Sequence, residues 1–153
     1  MGLSISGIAV QILASVSAFR AHPGLSNASD CKVVVNHLIR KFSEPAKTVN
    51  LRSKSVASGA MDIVKDHAIP VKFLADNLLN LPDERLQIND QNRLYIEQFL
   101  DESICVVEIT RSENRLLTEA KLSQKMPDGW LDEVNPKLRD RLARYRAVGI
   151  EIE

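Results

Sequence analysis

The sequence predicts an α+β protein that is mainly helical and carries a small β-sheet. Apolar residues recur three and four positions apart over most of the chain, which is the spacing of amphipathic helices. Residues 104–110 (ICVVEIT) are instead short, β-branched and mostly apolar, which favours a strand. The chain has 153 residues, and no stretch is rich enough in Gly, Ser or Pro to separate two domains. We therefore expect residues 1–153 to form one domain.

Two helices are predicted near the start of the chain. The first begins at Ile5 and ends at the His-Pro-Gly sequence of residues 22–24. Its apolar residues cover much of the circumference, and they include Ile8, Ala9, Val10, Ile12 and Leu13. The second helix follows a candidate N-cap among residues 26–30 and closes at Glu44-Pro45. If one copy of the chain cannot cover the apolar side chains of the first helix, they offer a seam for a homodimer.

Three further helices are predicted before the strand. The first is short, is capped by Ser53 or Ser55, and carries Val56, Ala60, Met61 and Val64. Pro70 opens the next helix, which has an apolar stripe at Val71, Leu74, Ala75, Leu78 and Leu79. The third is capped by Asn89 or Asp90 and is expected to bury Leu94, Tyr95, Phe99 and Leu100.

The strand leads directly into a helix. Thr110 and Glu113 have the spacing of a capping box, and the helix that follows is expected to bury Leu116, Leu117 and Ala120. A Pro-Asp-Gly turn occupies residues 127–129. Asn135-Pro136 then starts a last helix, which Gly149 ends. Residues 48–54 and 149–153 are candidates for further strands, and the latter either pairs with 104–110 or forms a tail.

Charge and cysteine content narrow the class of protein. Lys plus Arg equals Asp plus Glu at 20 each, which argues against a protein coated with positive charge and against an acidic DNA mimic. Cys31 and Cys105 lie far apart among apolar residues, as expected of reduced thiols in the cytoplasm. The apolar run from Ile8 to Phe19 is too short to span a bilayer, and no basic segment precedes it. We expect a cytoplasmic protein without a membrane partner.

The segment Asp66-His67-Ala68-Ile69-Pro70 resembles the first motif of the HNH (ββα-metal) nucleases. That resemblance implies that His67 would activate the attacking water and that Asp66 would help to hold Mg²⁺ or another divalent metal. The family also has a second His after a β-hairpin, whereas His67 is the last histidine in this chain. Asn replaces that His in some branches, and the later asparagines include Asn77, Asn80, Asn89 and Asn92. Asn77 and Asn80 fall on a predicted helix where the family needs a hairpin, which favours the competing interpretation that His67 ends one helix and Pro70 opens the next.

A second resemblance is spread over residues 66–150. The strings DHAIP, EITRSE, KLSQKMPDGW and ARYRAVGIEI occur in this order and are similar to those of a group of short bacterial and phage-associated proteins. The group has no assigned activity, so the resemblance implies a defence or mobile-element setting and no role for any residue.

The last predicted helix is strongly basic. Its cationic residues, together with Tyr145, which could stack on a base, are candidate nucleic-acid ligands: Lys137, Arg139, Arg141, Arg144 and Arg146. Lys137, Arg141 and Arg144 would share one face of the helix. A solvated outer face, with arginine stems covering apolar surface, is the competing interpretation.

These patterns favour a small binding or regulatory module that docks on a protein or nucleic-acid partner and needs no cofactor. The alternatives are a divergent metal-dependent nuclease centred on Asp66 and His67, and a structural homo-oligomer. No nucleophile elbow, phosphate-binding glycine loop or zinc-type His/Cys spacing is present, and whether the protein is an enzyme stays open.

Trp130 is expected to anchor the edge of the core.

Overall fold

The computed structural model describes residues 2–44, 51–130 and 140–153. They form a mainly helical α+β fold with a three-stranded mixed sheet, which confirms the predicted fold class. Within these residues, no helix combines the length and the apolar character needed to cross a bilayer. The chain divides into two compact units, a helical unit of residues 1–45 and 74–103 and a sheet unit of residues 46–73 and 104–153. The single domain stays a prediction.

The helical unit contains α1 (Ile5–Ala21), α2 (Ala28–Ser43), α5 (Asp90–Ser103) and most of α4 (Val71–Leu79). Helix α1 packs on both α2 and α5. Because of this, four of the five side chains named for the homodimer seam are already buried within one copy of the chain, namely Ile8, Ala9, Ile12 and Leu13, whereas Val10 is partly exposed. These four side chains are therefore not available for such a seam, and the homodimer through the first helix stays a prediction.

Helix α5 begins where the sequence predicts, but of the residues predicted to be buried only Leu100 is fully so, and Tyr95 and Phe99 are half-buried. The Asn89 side chain caps it by accepting a hydrogen bond from the Asn92 backbone N–H at 2.8 Å. The prediction that Leu94 is buried is wrong, since it is 54% exposed, and the buried residues are Asn92, Ile96 and Leu100. Asn92 tolerates burial because its Nδ2 donates to the carbonyls of Glu84 and Gln87.

The sheet has the strand order β1-β3-β2, with β1 (Leu51–Arg52), β2 (Ile63–His67) and β3 (Val106–Thr110). The central strand β3 pairs in parallel with β1 and antiparallel with β2. Strand β2 corrects the prediction of a helix through Val64. Only α3 (Lys54–Ala57) is helical there, capped by Ser53, because pairing with β3 satisfies the backbone of 63–67.

The C-terminal residues lie at the β1 side of the sheet. Ile152 forms an antiparallel bridge with Ser53, and the Glu153 N–H donates to the Arg52 carbonyl at 2.9 Å. Two alternatives were left open for residues 149–153, a strand beside 104–110 or a free tail. The structure has neither, because these residues contact residues 52–54 instead. Residues 48–50 of the predicted strand at 48–54 lie outside the described residues.

Helix α6 (Arg111–Glu119) starts with the predicted capping box between Thr110 and Glu113. Of the side chains expected to be buried, Leu117 is buried, whereas Leu116 is 43% exposed and Ala120 is also exposed. The described part of the last helix is α7 (Ala143–Ala147), and the predicted start at 135–136 lies outside the described residues. The apolar core of the sheet unit comprises Ala68, Val107, Ile109, Leu117, Leu122, Tyr145 and Ile150.

Candidate functional site

Arg144 lies in the interior of the sheet unit. Only 1% of its surface is exposed, although it belongs to the basic segment that the sequence suggests for nucleic-acid binding. Helix α7 places it beside Tyr145, which is fully buried in the apolar core. A guanidinium keeps its charge at any physiological pH, so its burial requires hydrogen-bond acceptors and a counter-charge.

The carboxyl end of β2 supplies most of these acceptors. The Arg144 Nε donates to the Ala68 carbonyl at 2.9 Å, and Nη2 donates to the His67 carbonyl at 2.5 Å. Nη2 also forms a short ion pair with the carboxylate of Asp66. Nη1 donates to the carbonyl of Leu122, beyond α6, at 2.7 Å. All three nitrogens of the guanidinium are thus engaged.

Tyr145 completes this cluster. Its hydroxyl donates to the same Asp66 oxygen, Oδ2, at 2.7 Å. Burial, together with the negative charge of Asp66, raises the pKa of Tyr145 far above its ordinary value, so the phenol keeps its proton. Asp66 itself is only partly buried, with 20% of its side chain exposed. We refer to Asp66, Arg144 and Tyr145 as the arginine cluster.

The arginine cluster bears directly on the nuclease hypothesis. Strands β2 and β3 are antiparallel and α6 follows β3, so a ββα order is present, but α4 and α5 separate the two strands. In that family Asp66 would hold a metal, whereas here its Oδ2 accepts from a guanidinium and a phenol. No three His, Cys, Asp or Glu side chains of residues 2–44, 51–130 and 140–153 are grouped to bind a metal ion. Within the part of the chain that the structure describes, the groups around Asp66 therefore do not fit a divalent metal.

His67 occupies the last position of β2. It is half-buried and lies opposite Val106 of β3, whereas Asp66 lies opposite Val107. Side chains alternate along a strand, so Asp66 faces the apolar core and His67 faces the other side of the sheet. The alternative prediction was that His67 ends one helix and Pro70 opens the next. Its first part is wrong, because His67 ends a strand, whereas a helix does follow Pro70.

The basic residues that the structure describes near the C-terminus, Arg141, Arg144 and Arg146, do not share one surface. Arg144 and Tyr145 are buried, so neither is presented to a phosphate or a base, contrary to the predicted nucleic-acid role. Arg141 and Arg146 are exposed, and Arg146 forms an ion pair with Asp140 at 2.5 Å. Arg141 precedes α7, so the face predicted to join it to Arg144 along a helix is not present. Lys137 and Arg139 lie outside the described residues.

Two clefts open beside α7. One, of about 260 Å³, is lined by Pro127, Asp128, Trp130, Asp140, Ala143, Arg146 and Ala147. Trp130 forms its apolar wall, packs edge-to-face on Phe73 and donates from its indole N–H to the Asp140 carbonyl at 2.9 Å. The other cleft, of about 460 Å³, is lined by Lys54, Leu142, Arg146 and residues 149–152. Arg146 lies between the two.

A second polar cluster joins the caps of two helices. Ser53, which is fully buried, donates from its hydroxyl to Glu113 Oε2 at 2.7 Å, and the Thr110 N–H donates to the same oxygen at 2.8 Å. Burial raises the pKa of Glu113, but hydrogen bonds from Thr110, Ser53 and Ser55 outweigh it, and the pKa is lowered overall. The carboxylate is therefore held in its charged form.

The segments singled out by the second resemblance meet in these clusters. DHAIP supplies Asp66, KLSQKMPDGW supplies the Leu122 carbonyl, and ARYRAVGIEI supplies Arg144 and Tyr145. Sequence reasoning offered Tyr145 as a nucleic-acid ligand, and it missed both the interior role of Arg144 and the hydrogen bond between Ser53 and Glu113. The feature of the sequence that could have indicated a buried Arg144 is its position next to Tyr145, on a predicted amphipathic helix.

Comparisons with known proteins identify no relative of this chain. No protein-family model matches the chain, and no curated protein or solved structure is significantly similar to it.

Proposed function

We propose that this protein is a non-catalytic module that docks on a protein partner through the surface around Arg141 and Arg146. The observation that carries the proposal is the arginine cluster, in which Arg144 and Tyr145 take up the carboxylate oxygen that a nuclease would use for its metal. We therefore assign this buried, hydrogen-bonded ion pair a structural role and not a catalytic one. The surface beside it is then free for recognition.

The exposed features of α7 favour a protein over a nucleic acid. Arg146 is neutralised by Asp140, and Asp128 lies in the same cleft, so the described residues of this surface do not form the run of positive charge that phosphates need. The Trp130 cleft, at about 260 Å³, suits a single apolar side chain of a partner, because sites for whole small molecules are typically larger, about 300–1,000 Å³.

A cytoplasmic location belongs to this proposal. Cys31 and Cys105 are both free, as in a reducing compartment, and no disulfide joins the described residues. A setting in phage defence or on a mobile element is likewise proposed, and it rests on the resemblance of the sequence alone.

Affinity capture from the cells that produce the protein tests the docking surface. The variant Arg141→Glu/Arg146→Gln should capture at least about tenfold less of a specific protein partner than the natural chain does. The reason is that charges at the rim of an interface select the partner and speed association. The matched control Lys72→Glu/Arg115→Gln changes the charge equally at exposed sites on α4 and α6 and should keep the partner. Equal capture by all three proteins would reject the surface.

Two nucleic-acid assays test the remaining part of the proposal. With labelled duplex and single-stranded DNA, we expect weak binding at 0.15 M salt, with dissociation constants above about 10 μM. Tight binding that falls steeply with salt and is lost in Arg141→Glu/Arg146→Gln would mean that the partner of this surface is a nucleic acid and not a protein. Cleavage of DNA that needs Mg²⁺ or Mn²⁺ and disappears in His67→Ala would overturn the non-catalytic assignment.

A further inference from the structure

The outward face of α2 carries two exposed valines between charges of opposite sign. Val33 is 67% exposed and Val34 is 45% exposed. Asp30 precedes them by one turn, and His37 and Arg40 follow at helical spacing on the same side. The opposite side of α2, with Val35 and Ile39 among its residues, is buried.

The charges at the ends of this face have no ion-pair partner among the described residues. Other charges on α2 are paired, Lys32 with Asp76 on α4 and Lys41 with Glu44. Asp30 and Arg40 form no such pair within residues 2–44, 51–130 and 140–153, and both side chains are exposed. The face therefore presents one acid, an apolar centre and one base, in that order along the helix.

We propose that this face of α2 binds the same face of a second copy of the chain, with the two helices antiparallel about a two-fold axis. In a two-fold interface every contact occurs twice, so the face must complement itself. When the axis passes near residue 35, Asp30 of each copy lies opposite Arg40 of the other. The valines then pack at the centre, and two equivalent ion pairs flank them.

The charges also select the register. If one helix slides by about one turn, Asp30 comes to lie opposite Glu44 of the other copy, which is also an acid and already pairs with its own Lys41, so the ion pair with Arg40 is lost and none replaces it. A parallel arrangement would place Asp30 beside Asp30 and Arg40 beside Arg40. Of these three arrangements, the antiparallel register about residue 35 is the one that joins opposite charges at both ends, which is how charge specifies a partner as well as an orientation.

The size of the face sets the strength of the contact. One pair of helix faces, three turns long, buries less than about 1,200 Å² in total, which is the range of weak and transient complexes. We therefore expect a dimer that dissociates in the range of about 10 μM to 1 mM. This interface lies on α2 and not on the predicted seam of α1, whose side chains are mostly buried, and it does not depend on the function proposed above.

Sedimentation velocity at increasing concentration tests the proposal by exchange of charges. Asp30→Arg and Arg40→Asp should each weaken self-association by at least about tenfold, because each places like charges opposite one another at both ends. An equimolar mixture of the two variants should regain the association of the natural chain, because every pair across the mixed dimer again joins an acid and a base. Added salt should weaken both assemblies.

Two apolar variants serve as a matched control. Val34→Lys should weaken the dimer, whereas Leu94→Lys, at an exposed apolar position of α5, should leave it unchanged. Circular dichroism of each variant at low concentration checks that the fold is kept. A natural chain that stays monomeric at 1 mM, or a mixture of the charge variants that associates no better than either alone, would overturn the proposal.

Discussion

The buried polar side chains of the helical unit find their partners nearby in the sequence, whereas those of the sheet unit find theirs far away. Ser43 donates to the carbonyl of Arg40 in its own helix, and Asn92 donates to the carbonyl of Gln87, five positions earlier. Arg144, by contrast, pairs with Asp66 across 78 positions, and Ser53 with Glu113 across 60. The first kind of contact needs only a local turn, but the second requires the whole unit to be assembled.

The difference also concerns charge. In the helical unit the buried polar residues are neutral and bind backbone groups. In the sheet unit they bind carboxylates, so removing one partner leaves a charged group without compensation. We therefore expect the sheet unit to depend on a few ionic contacts and the helical unit on many apolar ones. Variants in each unit can break or sharpen this contrast.

The largest effect is expected from Arg144→Ala. It leaves Asp66 and several carbonyls without their donor, and breaking a buried pair typically costs about 3–5 kcal/mol of the free energy of unfolding. Urea denaturation followed by circular dichroism measures the loss. The control is Arg146→Ala, whose surface ion pair with Asp140 should contribute at most about 1 kcal/mol. Equal losses for the two variants would contradict the role of the arginine cluster.

A core truncation in the helical unit should follow. Leu13 is 1% exposed, and Leu13→Ala removes buried apolar surface and leaves a cavity, at a cost of about 2–5 kcal/mol. Leu94→Ala, at a residue that is 54% exposed, should change stability by no more than about 0.5 kcal/mol. The same denaturation measurement separates them. Similar values for both would show that α1 is not packed as described.

The hydroxyl of Tyr145 can be removed without changing the shape of the core. Tyr145→Phe deletes its hydrogen bond to Asp66, and hydrogen bonds to charged groups are typically worth about 1.5–3 kcal/mol. Combining it with Arg144→Lys in a double-mutant cycle measures the coupling between the two contacts with Asp66. Strict additivity would mean that the arginine cluster does not act as a unit.

The smallest effect concerns acid stability. The pKa of Glu113 is lower in the folded state than in the unfolded chain, so its contribution is fully present above the unfolded pKa and is lost as the pH falls through the folded pKa. Glu113→Gln should therefore lower stability at neutral pH and flatten the decline towards acid. Denaturation midpoints between pH 3 and pH 7 measure both slopes. Parallel slopes would show that Glu113 does not contribute.

Helix α4 and strand β2 illustrate how far the sequence could go. The apolar stripe of α4 predicted both its existence and its buried residues, since Val71, Leu74, Ala75, Leu78 and Leu79 are all buried. Strand β2 was predicted as the end of a helix, because Ile63–His67 has no strict alternation and pairs with β3 only across a long stretch of chain. Local spacing could not reveal that partner. For the same reason Arg144, judged by its neighbours in sequence, was assigned to the surface.

The sequence by itself determined the mainly helical α+β class, the central strand and the helix cap at Thr110, and it limited two further caps to residues 26–30 and to Ser53 or Ser55, where the structure has Asn27 and Ser53. These features depend on side chains within a few positions of one another, where spacing and capping chemistry act directly. Only the tertiary structure decided which charges are buried and where the strands pair. A guanidinium enters a core only when distant carbonyls and a carboxylate surround it, and that arrangement arises from folding and not from any local pattern.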